Sequence, residues 1–170
     1  MIGSIAAWFT IYQYLKDERV RRKDTLLPLI TEFDTDTTIQ LAKELLDGFS
    51  YGVDLKWKNP VTVTYRVYHI NESHIFRLHG PTDHITDEGE IEIRKSFDAL
   101  LNFFGKLGYL LDVGLLKTKE IEYFRYYIEK AKNSESIGLY LLNYDFKLYH
   151  DLLAKLKYEQ KGYQNTERKL

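Results

Sequence analysis

Four histidines recur every five residues, His69, His74, His79 and His84, with Glu72, Asp83, Asp87 and Glu88 close by in the chain. Imidazoles and carboxylates are the ligand types of zinc and manganese centres, so this is the first place to look for chemistry. A metal needs its ligands on one side. Read as a hairpin, the segment sends His69 and His79 to opposite faces and leaves His74 in the turn. The sequence therefore predicts no metal site, no cofactor and no catalytic residue. The 170 residues contain no cysteine, which removes thiolate zinc sites, thiol nucleophiles and disulfide scaffolds together. No Gly-rich phosphate loop and no Gly-x-Ser-x-Gly elbow occurs, and the many carboxylates read as solvated helix faces.

Two further sets of residues invite a nucleic-acid reading. Arg77 and His84, with six residues between them, fit the loose Arg-x4–6-His pattern of the HEPN family of helical ribonucleases. That resemblance implies a phosphate-steadying Arg77 and an acid/base His84. With eight Arg and five His in the chain, such a short pattern also arises by chance, so a HEPN-like ribonuclease or a metal-dependent hydrolase at residues 69–84 is the alternative reading. Tyr123, Tyr126 and Tyr127 around Arg125 offer rings on which bases stack, yet their helical spacing suits a core and its rim better. The charge supports this. With 24 Lys plus Arg against 25 Asp plus Glu, the net charge of −1 lacks the electrostatic footprint of a nucleic-acid binder. No basic recognition helix accompanies the hairpin, which ranks a DNA-binding wing third.

The elements that must hold these residues are mostly helical. A chain of this length with 44% apolar residues buries enough surface to fold as one domain, expected over residues 1–158 with a polar tail over 159–170. Pro28 should end or kink the first helix just before it, and Asp34 to Thr37 supply caps, with Thr37 and Gln40 at capping-box spacing. Ile39, Ala42, Leu45 and Leu46 share one face of a second helix that stops at Gly48. Val61 to Ile70 alternates as a half-buried strand, with Val67 on the apolar face. Ile75 to His79 returns as its partner and pairs Ile75 with Ile70, giving one small β-hairpin at about residues 61–79.

A long helix then begins at the acidic stretch Asp87 to Glu92, with Phe97, Leu100, Leu101, Phe104, Leu107 and Leu111 as its core stripe. Gly105 and Gly108 inside that stripe predict a close helix crossing or a bend. Thr118 caps a helix carrying Ile121, Phe124, Ile128 and Ala131. After a break at Asn133 to Ser136, Phe146, Tyr149, Leu152, Leu153 and Leu156 give the last stripe. The expected fold class is mainly α, a single helical bundle domain with that one hairpin.

The N-terminus carries the most distinctive pattern. No charged residue occurs from Met1 to Leu15, and Lys16, Arg19, Arg21, Arg22 and Lys23 then arrive together, mixed with Asp17, Glu18 and Asp24. Fifteen helical residues span about 22 Å, short of a hydrocarbon core of roughly 30 Å, so a full membrane span is not expected. The basic residues follow the apolar stretch, the reverse of a signal peptide. Ile2, Ile5, Trp8, Phe9, Tyr12 and Leu15 line one stripe, while Ala7 and Ile11 widen it past half the circumference, more than a small fold can cover.

Arg21-Arg22 after the apolar start, Leu101-Asn102-Phe103-Phe104, Leu107-Gly108 and Gly114-Leu115-Leu116 resemble a group of prokaryotic proteins that share a domain of unknown function. The resemblance implies an N-terminal membrane helix with a trailing basic cluster, leading into a helical bundle, and a tethered interaction role. The reading taken forward is a non-catalytic interaction or scaffold protein acting through the 1–24 helix, with Trp8, Phe9, Ile11 and Tyr12 as contact residues. Its partner would be another protein or a second copy of the chain, with a membrane surface as the alternative, in the cytoplasm or at the inner face of the membrane. Nucleic acid is not expected.

Overall fold

A computed structural model describes residues 2–48, 53–58, 65–71, 75, 88–144 and 146–156, with the backbone alone for 2–10 and for most of the strand residues. Helix α1 (Ile2–Thr35) leads to α2 (Thr37–Gly48), strands β1 (Val53–Lys58) and β2 (Tyr65–Ile70), and the long α3 (Glu88–Asp112). Two 3-10 turns, Thr118–Glu120 and Glu122–Phe124, then precede α4 (Arg125–Asn133) and α5 (Glu135–Tyr144). A last helix, α6, covers 147–156. The fold is a single, mainly α domain with one small antiparallel strand pair, as the patterning predicts.

Helix α1 does not end at Pro28; it continues to Thr35. Pro28 lies on the exposed side, where the carbonyl of Asp24 that it leaves without an amide partner faces water, while Leu29 and Phe33 on the other side are buried. The turn into α2 takes a single residue, Asp36. Its carboxylate accepts from the amides of Thr38 at 2.8 Å and Ile39 at 3.0 Å, so Asp36 is the cap and the Thr37–Gln40 box is not used. Gln40 is engaged elsewhere. Its side-chain amide donates to the Phe33 carbonyl at 2.8 Å, satisfying one of the carbonyls left open at the end of α1.

The core gathers at that corner. Phe33 lies 5.2 Å from Phe103 and meets Phe124 edge-on at 5.0 Å, so the end of α1, the middle of α3 and the entry to α4 share one aromatic cluster. The Lys43 ammonium sits 4.1 Å over the Phe33 ring and 3.6 Å from the Asp34 carboxylate, which accounts for a lysine in so apolar a place. On the far side of α3, a side chain added at Gly108 would meet the Leu148 carbonyl at 2.6 Å, and one at Gly105 would meet Leu148 Cβ at 3.2 Å. Gly108 is thus required by the close passage of α6 and Gly105 eases it, the crossing their position in the stripe predicts. Tyr149 of α6 stacks on Phe104 at 5.6 Å.

The strand pair departs from expectation in partner and in face. Tyr65–Ile70 pairs with the upstream Val53–Lys58, placing Ile70 opposite Val53, and Ile75 is helical. Val67 is 60% exposed and Ile70 is buried, so the face expected to be apolar is the solvent face. Alternation sets the two sides but not which one the helices cover: Ile70 joins the helical core, whereas Val67 faces solvent. Residues 61–64, 76–79 and the 159–170 tail lie outside the described residues.

Candidate interaction surface

One stripe runs the length of α1. Phe33, Leu29, Leu26 and Arg22 face the bundle at steps of four and three, and the same steps continue to Glu18, Leu15 and Ile11. Among the described residues, contact with the bundle stops at Arg22. Its guanidinium is ion-paired with Glu18 at 3.0 Å and lies 3.9 Å from Glu120, the residue that closes the first 3-10 turn. Beyond this polar clasp every residue from Ile11 to Asp17 is exposed, including Ile11 at 53%, Tyr12 at 64%, Tyr14 at 68% and Leu15 at 53%. The helix continues as helix to Ile2. At 1.5 Å per residue the arm from Ile2 to Arg21 extends about 30 Å.

Of the contact residues expected from sequence, Ile11 and Tyr12 are on this free surface. Trp8 and Phe9 belong to the same helix, and their side chains lie outside the described residues. Two exposed apolar residues, Tyr14 and Leu15, extend the surface beyond that set. The four-residue step from Ile11 to Leu15 was the signal for one of them. For Tyr14 the sequence held none, because exposure on the far side of the arm depends on where the bundle ends.

Among the described residues, the other candidates form no comparable site. His69 Nδ1 lies 2.9 Å from Asp54 Oδ1 across the strand pair, with both side chains about two-thirds exposed. His74, His79, His84, Arg77, Glu72, Asp83 and Asp87 lie outside the described residues. Among the described residues, no group of three His, Asp or Glu is placed to hold a metal ion.

The tyrosines of the α4 region are tied down by carboxylates. Tyr123 donates to Asp34 at 2.6 Å, Tyr126 to Asp47 at 3.0 Å and Tyr127 to the other oxygen of Asp47 at 2.8 Å, with Lys130 completing the set. Burial on its own raises the Asp47 pKa; hydrogen bonds from Lys130, Tyr127 and Tyr126 outweigh it and hold the group below the usual carboxylate range. Burial, and then the bond to Asp47, push the Tyr127 phenol well above its ordinary value. The Asp47 groups join α2 to α4, and the Tyr123–Asp34 bond joins the second 3-10 turn to α1. A charge-neutral, internally satisfied cluster is what a helix junction needs, and it leaves little for a substrate.

No helix among the described residues is long and apolar enough to cross a membrane. No protein-family model, no curated protein and no solved structure matches the chain.

Proposed function

We propose that this chain is a non-catalytic interaction protein that docks through the N-terminal half of α1. The observation that carries the reading is the exposure of Ile11, Tyr12 and Leu15 on an arm whose stripe becomes, from Arg22 onward, the core-facing stripe of the bundle. Covering a half-exposed aliphatic residue stabilises a complex by about 1 kcal/mol, and a stripe of several offsets much of the cost of association. The bundle supplies the rigid platform. The Arg22 clasp fixes where the arm leaves it, so a docked arm would carry the domain in one orientation.

The test is the double variant Ile11→Ser/Leu15→Ser, followed by light scattering and by flotation with lipid vesicles. The wild type is expected either to exceed monomer mass or to float, and the variant to do neither while melting at the same temperature. A wild type indistinguishable from the variant in both assays contradicts the reading.

A further inference from the structure

We infer that the surface on which the arm docks is an anionic lipid bilayer, recognised by a stripe of cations beside the apolar face. This inference rests on the reading of the arm as a docking element. Lys16, Arg19 and Lys23 follow Tyr12 at steps of four, three and four, so all four residues lie along one side of α1. All four are exposed, and among the described residues none of the three cations is engaged in an ion pair. The acids are kept apart from them. Asp17 and Asp24 share the opposite side with Tyr14 and Arg21, and Glu18 is held by Arg22. A surface met by the Tyr12 side therefore sees positive charge without the helix's own carboxylates, although the whole chain carries a net charge of −1.

The shape of the apolar part selects between lipid and a partner helix. A single partner helix covers a stripe roughly 100° wide. Here Ile11, Leu15 and Tyr12 already fill that width, as their positions on a 3.6-residue period require, the cation stripe beside Tyr12 extends the contact past it, and the uncharged stretch before them continues to the start of α1. A bilayer interface covers such a width at once, since it is fluid in the plane. It also suits tyrosine, whose ring sits at the level of the headgroups. The order along the helix, apolar first and basic after, places the cations at phosphate level once the apolar turns enter the acyl boundary. The uncharged stretch from Met1 to Leu15, about 22 Å as a helix, is shorter than the hydrocarbon core and suits the interface.

The experiment is flotation of the full chain with vesicles of phosphatidylserine in phosphatidylcholine, against pure phosphatidylcholine vesicles. Each Lys or Arg near an anionic surface strengthens binding about fivefold. The wild type should float with the anionic vesicles, lose binding as salt is raised, and lose it at least tenfold in Lys16→Gln/Arg19→Gln/Lys23→Gln. Equal flotation on both vesicle types, or a triple variant that floats like the wild type, overturns the charge-based recognition. A wild type that does not float but forms a dimer abolished by Ile11→Ser/Leu15→Ser overturns the lipid inference and leaves the docking reading standing. A chain that neither floats nor associates overturns both.

Discussion

The two halves of α1 carry one apolar rhythm and meet opposite surroundings. From Leu26 to Phe33 the stripe is buried in the aromatic corner of the bundle; from Ile11 to Leu15 it is bare. Nothing in local propensity separates them. The difference is where α2, α3 and the α4 turn stop, and the stop is marked by Arg22 between Glu18 and Glu120. Periodicity therefore reports that a helix has something to bury, and only the rest of the fold says whether the chain itself supplies the cover.

If burial is what separates the halves, matched truncations should give unequal costs. Phe33→Ala removes a ring packed among Phe103 and Phe124 and should destabilise by about 3–5 kcal/mol in denaturant unfolding. Leu15→Ala, on the arm, should stay within about 0.5 kcal/mol. Comparable losses at both sites would erase the distinction.

The same rule applies at the glycines. Gly108→Ala should cost about 1–3 kcal/mol, because the added methyl meets the Leu148 carbonyl and Leu152, despite a helix-propensity gain of about 1 kcal/mol. Gly138→Ala, with no atom within 4 Å of the added methyl, should instead stabilise by up to about 1 kcal/mol. A thermal melt of each variant reads the sign directly.

The smallest effect belongs to the half-exposed junction of α2 and α4. Asp47→Asn should cost about 1 kcal/mol or less, since solvent screens the pair with Lys130. Because the Asp47 pKa is lowered on folding, its contribution is present above the unfolded pKa of about 4 and is lost as pH falls through the folded value. The wild type should thus lose more stability than Asp47→Asn on acidification. Parallel acid profiles would show that the cluster contributes no net stability.

Much of this fold was legible in the sequence. The stripes of α2, α3 and α6 are buried as their spacing requires, and Gly105 and Gly108 announced the α6 crossing. The misreadings have physical causes. Pro28 is tolerated because its side of α1 faces water, and Asp36 outcompetes the Thr37–Gln40 box because Gln40 is drawn to the Phe33 carbonyl. Strand β2 took its partner from upstream, a choice that alternation alone does not encode. The arm was legible as an apolar excess; that its free part stops at the Arg22 clasp, and that the cations beside it form no ion pair among the described residues, required the folded chain.

Hydrogen exchange along α1 of the full chain, in dilute solution and then with anionic vesicles, tests the central claim most directly. Amides near Leu29 to Phe33 should exchange only on global unfolding, whereas those of the Ile11–Arg21 segment should exchange far faster in solution and become protected when the vesicles are added. An arm as strongly protected as the Leu29–Phe33 segment in a lipid-free monomer would contradict the account, because the bundle would then be covering it.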